Sequence, residues 1–334
     1  MPAMRSSLRL LLASILALLA AGCNASPATA QVEIVDVGRF NFTGGGNASP
    51  GLVAEELSGL ARVTGDRYVS VGDDHATLYF LRIAVDQRTG RVRSVSFDRP
   101  IPLLDAEGHP LVGRGQSADR EDVVYDPQRK TVWIADERDL GEVSRPSLIE
   151  VDPESGRQVG RIGADGDGPF SVYADIRANY GFEALARTDD GESMWTANEE
   201  ALTIDGPLAS PTAGTIVRIQ EIDEEGGPTR QVAYVTDPTD HAITSPVGAL
   251  GEDRNGVSAI VSLDDERLLV LERGLVGDSS GMAGFRIRIY LADLDDATDV
   301  SVPLYRGGLA GRTDWEPVRK MLLFERRFGL PVSN

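Results

Sequence analysis

Cysteine is nearly missing: the 334 residues contain one, Cys23, alongside only three histidines, His75, His109 and His241. One thiol excludes a disulfide framework and a thiolate metal site, so stability must come from a packed core. Aromatic residues are sparse at 6%. The apolar run LLLASILALLAA, Leu10 to Ala21, is too short to span a bilayer. After residue 30 no long amphipathic helical pattern appears, apart from a short turn near Leu52–Leu57, which excludes a helical bundle. Positive charge is also in deficit. Lys and Arg total 33 against 52 Asp and Glu, a net charge of −19. Such a surface repels nucleic acid and anionic headgroups, and repels phosphorylated molecules unless a cation or an arginine cluster intervenes.

The N-terminus carries an export signal. Arg5 and Arg9 precede the apolar run, which fits a signal-peptide core. Ala20-Ala21-Gly22-Cys23 is similar to a bacterial lipobox, with Ala20 where Leu is usual. The expectation is a signal peptide over 1–22, lipidation at Cys23, a linker and first strand over 23–54, and a folded domain over 55–334. The protein is then a cell-envelope lipoprotein of the outer membrane or periplasm, touching membrane only through Cys23. Cleavage after Ala28-Thr29-Ala30, giving a secreted protein, is the alternative. Oligomeric state is not legible.

The 36 glycines and 18 prolines punctuate a repeat. SGLARVTGDRYVSVGDD, EDVVYDPQRKTVWIADE, EALARTDDGESMWTANE and SAIVSLDDERLLVLE begin at Ser58, Glu121, Glu183 and Ser258. Each is an apolar strand, a turn rich in Asp, Gly or Pro, and a second apolar strand. A second hairpin follows most copies, as in SLIEV-DPESG-RQVGRI; the partner of FRIRIYLADL is less clear. Asp and Gly supply the reversals that hairpins need. Two hairpins per roughly sixty-residue unit predict an all-β fold, a β-propeller of about five four-stranded blades, with a range of four to six. A β-sandwich is the runner-up. A fifth copy would begin only at 320–333, so the last blade is expected to lack a hairpin. Either the N-terminal strand Gln31–Phe40 patches it, or the chain is truncated.

Each copy ends on a carboxylate: Asp74, Glu137, Glu199 and Glu272. In a propeller these ends gather at one mouth, so the four are candidate metal ligands. The competing reading is that each pairs with a neighbouring arginine, such as Arg138 or Arg273, because structural ion pairs imitate functional clusters.

RANYGFEALARTDDGESMWTANEEAL, LSGLARVTGDRYVSVGDD and LLVLERG followed by RIRIYLADLDDATDV resemble the phytase-like family named for "esterase-like activity of phytase". The resemblance covers most of 55–330 and rests on the spacing of Arg177, Asn179, Gly181, Phe182 and Glu183 and on Leu271-Glu272-Arg273-Gly274. It implies a propeller, an exported location and phosphoester hydrolysis. Family chains usually continue past a segment like Lys320-Met321-Leu322-Leu323 into another hairpin.

Clustered carboxylates need a counter-charge, and a hard cation such as Ca²⁺ tolerates their irregular geometry. The candidate catalytic residues are therefore Glu183, Arg177, Asn179, Glu199 and Arg273, with Arg177, Arg138 and Arg273 clamping the phosphoryl group of a small phosphorylated molecule. Gly277-Asp278-Ser279-Ser280-Gly281 matches a serine-hydrolase pentapeptide, but no helix follows it, and a loop is the better reading. Asp165-Gly166-Asp167-Gly168 lacks the further ligands of a calcium loop. With no committed nucleophile and base, a non-catalytic envelope propeller acting as a binding platform is the alternative function.

Overall fold

The structure, a computed structural model, describes residues 32–38, 40, 57–73, 76–111, 119–137, 145–163, 168–223, 225–239, 254–277 and 283–329. Among these residues sixteen strands form four antiparallel sheets of four, each built from strands consecutive in sequence. The first blade is β1 (Leu57–Thr64), β2 (Arg67–Gly72), β3 (Thr77–Val85) and β4 (Val92–Pro102). The second is β5 (Arg120–Asp126), β6 (Thr131–Asp136), β7 (Ser147–Val151) and β8 (Gln158–Gly163). The third is β9 (Phe182–Arg187), β10 (Ser193–Asn198), β11 (Ile216–Asp223) and β12 (Pro228–Val235). The fourth is β13 (Asn255–Ser262), β14 (Arg267–Gly277), β15 (Ala283–Asp293) and β16 (Arg319–Gly329). The molecule is thus an all-β propeller of four blades, the low end of the expected range.

The strand-turn-strand units form for local reasons. An Asp opens several turns and folds its carboxylate back onto the next amides: Asp126 accepts from Gln128 and Arg129, and Asp152 from Glu154 and Ser155. Gly156 closes the second of these at φ +72°, where a Cβ would lie 2.0 Å from the carbonyl of Pro102. Alternation along the strands then puts apolar residues on both faces of the inner blades. Val69, Leu78 and Phe80 meet Val123, Ile134 and Ile149 between blades one and two. Trp133 and Leu148 meet Phe182, Leu185 and Met194 between two and three. Trp195, Ile219 and Tyr234 meet Val257, Leu268 and Val270 between three and four.

One open point is resolved and one expectation is corrected. The partner of FRIRIYLADL, less clear from the sequence, is β16, paired from Gly284↔Gly329 to Asp293↔Arg319, which completes the fourth blade. The long excursion 294–318 separates the two in sequence and hid the pairing. The described part of Gln31–Phe40 is not a strand but an irregular segment. It still touches the first and fourth blades, because Asp36 pairs with Arg326 on β16 while Val37 lies against Gly90 in the β3–β4 turn. The innermost strands pack in succession, β1 on β5, β5 on β9 and β9 on β13, and among the described residues no comparable packing joins β13 to β1. Leu57 opens β1, and the rest of the expected turn at Leu52–Leu57 lies outside the described residues. Among the described residues no helix is long and apolar enough to cross a membrane.

Candidate functional site

The inner ends of the blades surround a cavity of about 410 Å³. Its acidic wall is Asp73 after β2, Glu121 on β5, Glu137 after β6, Glu183 on β9 and Glu199 after β10. Arg254, Arg273 and Asn179 complete the polar lining, and Ser58 and Leu57 come from β1.

The backbone explains the convergence. Glu121 and Glu183 occupy the same place in successive blades, near the start of the innermost strand. Glu137 and Glu199 follow the second strand of those blades. Carboxylate oxygens of Glu137, Glu183 and Glu199 lie within 4.8 Å of one another, and those of Asp73, Asp119 and Glu121 form a second such group. Glu137, Glu183 and Glu199 are all buried. The Nη2 of Arg273 donates to Glu183 Oε1 at 3.0 Å and lies 3.6 Å from Glu199 Oε1. Arg254 Nη2 donates to Glu199 Oε2 at 2.8 Å, and its Nε lies 3.6 Å from Glu200.

The five carboxylates of this wall outnumber its guanidiniums, Arg254 and Arg273, with buried Arg120 a further cation beside Asp73 and Asp119. Burial pushes Glu121 up to about 9, and neighbouring Asp73, Asp119 and Glu137 push the same way. Burial takes Glu137 up to about 8 against the opposing hydrogen bond from the Gly181 amide. Glu183 is raised well above the carboxylate range, first by burial and then by Glu199 and Glu121, with Arg273 opposing. Glu199 is raised by burial against Arg254 and Arg273. Such a group holds shared protons or a cation. Three buried carboxylate oxygens at this spacing suit a hard divalent ion that completes its shell with water.

The loop 177–181 is built around this site. Arg177 anchors its base through hydrogen bonds to the carbonyls of Ala201 and Gly206. Asn179 sits at φ +62° in the turn that Tyr180 N closes onto Arg177 O. Its carbonyl accepts from Arg254, which stacks 4.4 Å above the Tyr180 ring. Gly181 then donates its amide to Glu137 Oε1 at 2.8 Å.

The sequence candidates therefore divide. Glu137, Glu183, Glu199, Asn179 and Arg273 share the cavity. Arg177 does not; its guanidinium is used on backbone carbonyls. Glu272 does not either. It is fully buried toward blade three, accepting from Tyr234, Asn255 and Lys320. The reason is the pleat: neighbouring residues on β14 point to opposite faces, so Arg273, not Glu272, reaches the mouth. Asp74, Arg138, Cys23, Asp165, Asp167, Ser279, His75 and His241 lie outside the described residues. His109 is exposed in a turn beside Asp105. Sequence reasoning missed Glu121, Asp73, Asp119 and Arg254. Glu121 was signalled by sharing its repeat position with Glu183; Arg254 had no signal, since no repeat position marks it.

A family model described as "Phytase-like: Esterase-like activity of phytase" matches residues 54–334. No curated protein matches the chain in sequence. Among solved structures, the Dos1 propeller is similar with a TM-score of 0.34 at 10% identity, over 74% of this chain and 58% of that one. The hydrazine synthase of Kuenenia stuttgartiensis gives 0.30 at 12% identity, over 83% and 89%. A streptogramin B lyase gives 0.29 at 10% identity, over 72% and 69%. At these TM-scores the likenesses carry nothing about activity.

Proposed function

We propose, from the premise that this chain belongs to the phytase-like family, that it is a phosphoester hydrolase of the bacterial cell envelope assisted by a divalent cation, Ca²⁺ by the chemistry of the donors. The observation that carries the reading is the meeting of Glu137, Glu183 and Glu199 within 4.8 Å, beside Arg273. Those three glutamates would hold the cation. When bound, it neutralises their charge, attracts an anionic substrate and acidifies a water ligand.

The remaining roles belong to the chain. Arg254 and Arg273 shift from their carboxylate partners to the phosphoryl oxygens, which the planar guanidinium fits with paired hydrogen bonds. As a water oxygen bonds to phosphorus and the ester P–O bond breaks, Glu121, whose carboxyl burial favours in its protonated form, gives its proton to the departing oxygen and regains one from that water. The blade ends fix these groups before the substrate arrives.

A binding platform remains the second reading, favoured by one observation. The glutamates also join blades: Glu137 holds Gly181 of blade three, Glu183 holds Arg273 of blade four, and Glu199 holds Arg254.

Turnover of 4-nitrophenyl phosphate and a phosphoester panel, with calcium and with chelator, separates the two. The hydrolase reading expects calcium-dependent turnover that drops at least about a hundredfold in Glu183→Gln. No turnover on the whole panel supports the platform.

A further inference from the structure

One buried glutamate stands directly behind the cavity wall. Glu200 follows Glu199 and is 1% exposed, and the cavity is lined by Glu199 but not by Glu200. Burying a carboxylate is costly unless its oxygens are satisfied. One of them is: Glu200 Oε2 accepts from the Ala209 amide at 3.1 Å. The other, Oε1, has no hydrogen-bond partner among the described residues, and neither has the Nε of Arg254 that faces it. These two buried atoms stand 3.6 Å apart. That is about 0.7 Å beyond an ordinary N–H···O contact, so the pair is aimed but not closed.

The surroundings hold Arg254 between the two glutamates. β13 runs against both of them: the Val257 amide donates to Glu199 O at 2.9 Å, and a Cβ on Gly256 would lie 2.8 Å from Glu199 Cγ and 3.1 Å from Glu200 Cγ. Arg254, just before this strand, therefore has Glu199 on its cavity side and Glu200 on its buried side. Its Nη2 is committed to Glu199 Oε2 at 2.8 Å, and its guanidinium lies 4.4 Å from the centre of the Tyr180 ring. Cation–π attraction persists to about 6 Å from the ring centre, so a shift of about 0.7 Å leaves it intact. A cation held by Glu137, Glu183 and Glu199 needs the carboxylate that Arg254 occupies. Like charge drives the guanidinium off, and an arginine left there without a counter-charge would oppose the cation.

We infer that Glu200 is a positioning residue, the second seat of Arg254: when Glu199 turns to the cation, Arg254 Nε closes onto Glu200 Oε1 and its outer nitrogens stay at the cavity for the phosphoryl oxygens. This rests on the reading of the three glutamates as a cation site. It accounts for a buried carboxylate oxygen kept without a hydrogen bond, and for two successive glutamates serving one arginine.

The test is a double-mutant cycle read by calorimetric calcium titration of the metal-stripped full chain: parent, Glu200→Gln, Arg254→Met and the double variant. Glu200→Gln is nearly isosteric and should weaken calcium about tenfold, because Arg254 then keeps Glu199. In the Arg254→Met background Glu199 is already released, and the same change should weaken calcium less than about twofold. An equal loss in both backgrounds would mean that Glu200 acts through its own charge or its packing, and overturns the inference; so does no loss in Glu200→Gln. If circular dichroism shows that Glu200→Gln has lost the β fold, Arg254→Lys decides. A single ammonium does not span both glutamates, so that variant should bind calcium at least about threefold more weakly than the parent; equal affinity overturns the inference. A parent that binds calcium while the cycle shows no coupling leaves the hydrolase reading standing. A parent that binds none overturns both.

Discussion

At the scale of single residues, the central fact is that burial and like charge act together on one set of glutamates. Glu121 and Glu137 have an ordinary value of 4.5 and rise to about 9 and about 8 in the folded chain. Below the ordinary value both folded and unfolded chains hold these protons, and pH has no leverage. Between 4.5 and those raised values the unfolded chain has lost protons that the folded chain keeps. Stability therefore falls as pH rises through that window and levels off above it. Asp122, raised to about 7 by burial, adds to the slope with the same sign. In chelator, Tm should decline from about pH 5 to about pH 9. A cation binds the ionised form, so calcium should raise Tm most at the alkaline end. Scanning fluorimetry over that range checks it, and a Tm that climbs with pH in chelator would refute the assigned burial.

At the scale of elements, the loop 177–181 translates a sequence pattern into geometry. The R-x-N-x-G spacing was legible; its division of labour was not. Arg177 is an anchor, Asn179 supplies a left-handed turn residue at the cavity, and Gly181 allows contact with Glu137. A Cβ on Gly181 would lie 2.4 Å from Glu137 Cγ and 2.6 Å from its carbonyl oxygen, which is backbone and cannot move aside. Gly181→Ala should therefore cost about 1–3 kcal/mol and loosen the Glu137 clamp. Thermal unfolding measures the cost, and a variant as stable as the parent would show that the loop shifts freely. The same limit explains Glu272. Sequence repeats locate a carboxylate at a strand end to within a residue, and a one-residue offset reverses the face it serves.

At the scale of the whole molecule, the repeated hairpins were readable because alternation, turn chemistry and spacing all agree in the first three blades. The fourth was obscured because β15 and β16 are separated by a long excursion, so nothing local linked them. The gathering of acids followed from the radial repeat; their pairing with Arg254 did not, because blade-to-blade contacts leave no trace in sequence spacing. The molecule that results is a set of four consecutive blades, with Asp36 and Arg326 paired at its rim. Its function depends on whether the carboxylates brought together across blades two and three bind a cation as one unit. Calorimetric titration of the purified, metal-stripped chain with calcium is the most direct test. Saturable binding should appear in the parent and vanish in Glu183→Gln while circular dichroism stays that of the β fold. A parent chain that takes up no calcium, or a variant that binds it equally well, would contradict the account.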